Sequence, residues 1–149
     1  MRGEHQLGAA TLVSRTSLTA PTTDSVRAAL YLSSATVNSA KATYGGTVGS
    51  VADTGEVTGT GYTAGGIVVT NATTPALDAA TGIWTPSASL VFTTVSIGPT
   101  DCVLLYNSTQ SNKSIEVCTF TAQTPVAATM TLTMPANTAA AALLRIATV

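Results

Sequence analysis

Apolar and polar residues alternate along this chain in short runs separated by turn-forming clusters. Val26-Arg27-Ala28-Ala29-Leu30-Tyr31-Leu32 puts Val26, Ala28, Leu30 and Leu32 on one face, the period-two signature of a strand. Ile67-Val68-Val69-Thr70 is β-branched, and Ile83-Trp84 and Leu90 to Ile97 read as strands separated by Pro86. Pro99 breaks the chain before Cys102-Val103-Leu104-Leu105-Tyr106. Asn107 to Ser114 is a polar turn, and Ile115 to Thr121 is the returning strand. Ala128 to Met134 alternates Thr with Met and Leu. Leu143 to Val149 reads as a last strand, with a short helix open over Ala139 to Ala142. Ser33 to Gly46 and Asn71 to Thr81 read as loops, and Thr54 to Gly66 is dense in glycine. No repeat of fixed period is present. Many short strands at fairly regular spacing predict an all-β protein, a β-sandwich of jelly-roll-like or Ig-like form.

The first residues do not share this pattern. Met1 to Asp24 is poor in large apolar residues, rich in Ala, Thr and Ser, and ends just after Pro21. The expected organisation is an extended N-terminal arm over 1–24 and a β-sandwich domain over 25–149. Met1-Arg2-Gly3-Glu4-His5-Gln6 has charges of both signs and no apolar run behind it, unlike a secretory signal. The uncharged stretch Val117 to Leu144 is broken by Thr, Gln, Asn, Pro125 and Pro135, so it lacks the roughly 20 mainly apolar residues of a spanning helix. The expectation is a soluble protein made without export.

Charge alters the picture more than length does. Of 149 residues only 9% are charged, against roughly 25% in an ordinary soluble domain. Six Lys and Arg against seven Asp and Glu leave no basic field for a phosphate backbone, which argues against nucleic-acid binding. A surface of Thr, Ser, Ala and Gly loses little hydration energy when a partner covers it, so the composition leans towards assembly.

The candidate chemistry is sparse. His5 is the single histidine, which leaves neither a zinc ligand set nor an imidazole base beside Cys102 or Cys118. Asp53, Glu56, Asp78, Asp101 and Glu116 are dispersed and read as solvated charges, with Asp53 and Glu56 in one loop. Gly59-Thr60-Gly61-Tyr62-Thr63-Ala64-Gly65-Gly66 lacks the Lys-Ser or Lys-Thr of a phosphate loop and is followed by strand rather than helix. It reads as a tight β-connection. Asn71, Asn107 and Asn112 fit the glycosylation pattern but are also ordinary turn residues. Trp84, Tyr31, Tyr44, Tyr62 and Tyr106 read as core or interface anchors. No catalytic residue, metal ligand or cofactor is expected.

One hairpin can be set in register. A turn centred on Gln110 faces Leu105 with Ile115 and Val103 with Val117, and puts Cys102 opposite Cys118. Opposed strand residues lie about 4.5–5.5 Å apart at Cα, within disulfide reach. A disulfide and two buried free thiols both stay open, with a reducing cytosol favouring thiols.

Ala28-Ala29-Leu30-Tyr31-Leu32-Ser33-Ser34-Ala35, Gly55-Glu56-Val57-Thr58-Gly59-Thr60-Gly61-Tyr62-Thr63-Ala64-Gly65-Gly66, Leu104-Leu105-Tyr106-Asn107-Ser108 and Leu143-Leu144-Arg145-Ile146-Ala147 together carry a resemblance. The chain resembles small virion structural proteins encoded by tailed bacteriophages, from about Val26 to the C-terminus. The glycine-rich segment is the most specific part of the match. The resemblance implies a capsid-associated structural role without catalytic chemistry. The expected function is that of a head decoration, or cement, protein made in the bacterial cytoplasm and carried on the virion head surface. Its partner would be the major capsid protein, and a homo-oligomer is expected, a trimer suiting a local three-fold position. Nucleic acid, membrane and small-molecule substrates are not expected as partners. The alternatives are a neck or tail component and, from another class, a host-surface or carbohydrate-binding adhesin. In the arm, Leu7, Leu12 and Val13 are candidate apolar contacts with the lattice, and Arg2 and Arg15 candidate orienting charges.

Overall fold

The structure, a computed structural model, describes residues 24–70 and 75–147. These residues form ten strands and no helix: β1 (Val26–Leu32), β2 (Gly59–Thr60), β3 (Ile67–Val68), β4 (Ala76–Asp78), β5 (Thr81–Trp84), β6 (Leu90–Ile97), β7 (Thr100–Asn107), β8 (Lys113–Gln123), β9 (Ala128–Leu132) and β10 (Leu144–Ala147). They make three sheets, ordered β3-β1-β7-β8, β10-β5-β4 and β2-β6-β9, with every pairing antiparallel. The protein is all-β, as the alternation predicts. Arg2, Leu7, Leu12, Val13 and Arg15 lie outside the described residues, as does His5.

Strand β1 is buried on both faces, which explains its run of apolar residues. Val26, Ala28 and Leu30 join Val103 and Leu105 of β7 in the main core, which also takes Trp84, Leu90, Phe92, Val95, Met130 and Leu144. Side chains from all three sheets therefore meet in one cluster. On the opposite face, Ala29 and Tyr31 pack with Tyr44, Cys102, Leu104 and Tyr106. Tyr44 comes from the segment between β1 and β2, so irregular chain covers this second face.

Strand β6 carries a phase change. Leu90 and Phe92 face the core, and so do Val95 and Ile97, which strict alternation would send outward. A bulge between Phe92 and Val95 inserts one extra residue opposite β9, and Thr94 takes a φ of 50° there.

The β7–β8 hairpin departs from the sequence-based register. Val103 pairs with Cys118, Cys102 with Thr119 and Leu105 with Glu116, each one residue beyond the expected partner. A bulge between Leu105 and Tyr106 makes Ile115 the extra residue, restoring the expected phase only at the turn. The slip is decisive for the cysteines. Cys118 packs against the main core, Cys102 belongs to the opposite cluster, and both are free thiols. Of the two states left open, the thiol form is the one present, on two faces of the sheet. Burial first, then the Asp101 charge, pushes Cys102 up to about 11. Burial first, then Glu116, pushes Cys118 up to about 12.

Two further expectations are corrected. The expected loop over 71–81 contains strand β4, which turns back into β5 through Ala79 at a φ of 53°. Residues 139–142 form turns, with Ala141 and Ala142 donating to the Thr138 carbonyl, and they deliver Leu144 to its pairing with Trp84.

Candidate functional site: a carboxylate cluster under the glycine-rich segment

Two of the acids expected to be solvated, Asp53 and Glu56, are instead buried beside the second face of the four-stranded sheet. Glu56 is 4% exposed and Asp53 9%. A carboxylate taken out of water must recover its hydration from fixed donors, and both do so.

Glu56 accepts four hydrogen bonds. Its Oε2 takes the Tyr44 hydroxyl at 2.8 Å and the Asp53 backbone N–H at 2.8 Å. Its Oε1 takes the Tyr62 hydroxyl at 2.8 Å and the Gly65 N–H at 2.7 Å. These donors fill the acceptor capacity of an ionised carboxylate. Val57, the next residue, is fully buried in the main core. The backbone at 56–57 is tied to β1 by the Val57 N–H, which donates to the Leu30 carbonyl at 3.0 Å.

Asp53 is held from several sides. The Tyr31 hydroxyl donates to Oδ2 at 2.7 Å, Lys41 Nζ forms an ion pair with the same oxygen, and the Thr54 N–H donates to Oδ1 at 2.8 Å. Burial alone would raise the Asp53 carboxyl. The bonds from Lys41, Tyr31 and the Gly45 and Thr54 backbone outweigh it and hold the group below its ordinary value. The Lys41 ammonium also lies over the Tyr31 ring, 5.7 Å from its centroid.

The glycine-rich segment closes over this cluster. Arg27, on β1, donates from Nε to the Gly65 carbonyl at 3.1 Å and from Nη2 to the Gly66 carbonyl at 2.6 Å. The Tyr106 hydroxyl donates to the Gly65 carbonyl at 2.8 Å, and the Tyr106 ring stacks on Tyr44 with centroids 4.6 Å apart. The Tyr62 hydroxyl accepts the Leu30 N–H at 2.9 Å while donating to Glu56, so one phenol joins β1 to the loop. Gly66 has a φ of 65°, and a Cβ there would overlap the Ala28 carbonyl oxygen. Gly59 likewise lies against the Ser96 carbonyl, where β2 meets β6.

This arrangement is a clasp. Burial first, then Asp53, raises the Tyr31 hydroxyl far above its ordinary value, and burial first, then Glu56, does the same for Tyr62. Both phenols stay protonated and serve as donors. Among the described residues, no group of three or more His, Cys, Asp or Glu side chains is placed to hold a metal ion. Of the aromatic residues expected as anchors, Trp84, Tyr31, Tyr44 and Tyr106 are buried and Tyr62 is half-buried against the core. Nothing in the sequence singles out Lys41, and the spacing from Asp53 to Glu56 is the only local signal of the cluster. In comparisons with family models, curated proteins and solved structures, no match to this chain was found.

Proposed function

We propose that the chain is a structural protein of a tailed-phage particle, a decoration protein that binds the assembled head and stabilises its shell. The observation that carries this reading is the use of the glycine-rich segment. Its resemblance is to virion structural proteins, and its polar groups are spent on internal contacts: Glu56 and Tyr62 on each other, Gly65 and Gly66 on Arg27 and Tyr106. A clasp of this kind rigidifies a surface that has few charges to desolvate. Val51, Val68, Leu77, Val91 and Val126 are also exposed.

The finer architecture belongs to the same proposal. With all three sheets contributing to one core, the four-stranded sheet forms one layer of a sandwich, and the β2-β6-β9 and β10-β5-β4 sheets form the other. Residues 1 to about 19 would act as a contact arm towards the major capsid protein or a neighbouring copy, with a trimer suiting a three-fold site. The mechanism is mass action: a module that binds only the assembled lattice stabilises it by RT ln(1 + [L]/Kd) per site. Contact with several shell subunits adds avidity.

Copy number tests the proposal. Quantitative electrophoresis of purified particles is expected to give on the order of hundreds of copies, one set for each symmetry-related site of the shell. About a dozen copies would instead assign the chain to the neck or tail, and absence from particles would reject a virion role.

A further inference from the structure

We propose that Lys41 and Asp53 join through an intramolecular isopeptide bond, closing residues 41–53 into a covalent ring beside the Tyr31 ring. The inference does not depend on the particle reading. It rests on the juxtaposition of an amine and a carboxyl group in an enclosed, aromatic setting that also holds the groups the reaction requires.

Lys41 Nζ contacts Asp53 Oδ2, and the two side chains are 24% and 7% exposed. The two carboxyl oxygens have different surroundings. Oδ1 receives the Thr54 N–H at 2.8 Å, and the Gly45 backbone also hydrogen-bonds this carboxylate. Oδ2 receives the Tyr31 hydroxyl at 2.7 Å together with Nζ. When the amine attacks Cγ, negative charge gathers on the oxygen that remains. The Thr54 N–H already in place at Oδ1 stabilises that charge without reorganising. Tyr31 holds the oxygen that departs. Glu56, through its 2.8 Å bond from the Asp53 N–H, fixes the backbone while Cγ changes geometry. Tyr31 and Glu56 are positioning residues in this scheme.

The step balances without a co-reactant. A proton passes from the ammonium to Oδ2, giving a neutral amine and a carboxylic acid. The Nζ–Cγ bond forms and the Cγ–Oδ2 bond breaks. Oδ2 leaves as water with the transferred proton and a second proton from nitrogen, and a secondary amide remains. Nothing is oxidised or reduced. The ion pair is the resting form, so closure follows folding slowly through the minor neutral pair. The change is favoured because two enclosed charges become one neutral amide and a water molecule is released.

Intact-mass spectrometry of the folded full chain, followed by denaturation and tryptic digestion, tests this directly. The expected mass is lower than the sequence mass by one water. Trypsin is expected to leave 28–113 as one linked fragment, because an acylated Lys41 is not cleaved. Lys41→Arg keeps the positive charge but not the reacting amine, and is expected to show the full mass. A wild-type chain of full mass that is cut after Lys41 overturns the proposal and leaves an ordinary ion pair. A water deficit with normal cleavage after Lys41, or one that persists in Lys41→Arg, also overturns it by placing the dehydration elsewhere.

Discussion

Glu56 shows how much one side chain can organise in a chain with so few charges. It collects two phenols and two backbone amides, one from the Gly65 end of the glycine-rich segment and one from Asp53. Glu56→Gln keeps the shape but substitutes an NH₂ group for an oxygen that accepts two donors. Those donors lose their acceptor in a buried site, so a loss of about 3 kcal/mol is expected. It would be read as a lower urea midpoint at unchanged slope. The thiols give a second residue-scale test. Both are raised, Cys102 to about 11 and Cys118 to about 12, so at pH 8 the folded protein holds almost no thiolate. A water-soluble disulfide reagent is expected to label neither at pH 8 without denaturant, and both once the chain is unfolded. The sign follows from linkage. An acid whose folded value is raised contributes stability below its unfolded value, and that stability is lost as the pH climbs above it. Burial of the tyrosines was legible because a large aromatic residue in a β-rich chain has few other places to go. Burial of Asp53 and Glu56 was not, because a loop acid looks the same in sequence whether water or tyrosine solvates it.

At the scale of elements, the strand pattern was readable wherever it was regular. β1 and β6 match the expected spans at both ends, because Val26, Ala28, Leu30 and Leu32 share one face of β1 and Leu90 to Ile97 is rich in Val, Phe, Thr and Ile. Phase was harder. The bulges at Phe92–Val95 and Leu105–Tyr106 each insert a residue that no turn signal announces. The second moved the cysteines onto opposite faces. Strand β4 leaves no signal in the sequence because Ala76–Asp78 is too short to show alternation and two of its residues are exposed. The glycine-rich segment offers a paired test at this scale, with a glycine just outside it as the reference. Gly49 has a φ of 82° and open space where a methyl group would stand, so Gly49→Ala is expected to cost only the conformational strain, about 1 kcal/mol. Gly66→Ala adds a collision with the Ala28 carbonyl in the β1 backbone and is expected to cost about 4 kcal/mol or more. Thermal melts of the two variants side by side separate close approach from backbone conformation, and equal losses would contradict the packing described for Gly66.

The described residues combine a core shared by three sheets with a clasp on the opposite face of the four-stranded one. The all-β class followed from alternation. The joining of β5 and β10 across some sixty residues did not, since only packing brings Leu144 to Trp84. The proposed shell-binding role rests on the resemblance of the glycine-rich segment together with its internally bonded polar groups. The measurement that bears on it most directly is co-sedimentation of the purified chain with phage heads assembled without it. Saturable binding at a fixed ratio to the major capsid protein, with heads that resist heat better once loaded, is the expected result. A chain that stays in the supernatant at every concentration and leaves the melting of the heads unchanged would contradict the account.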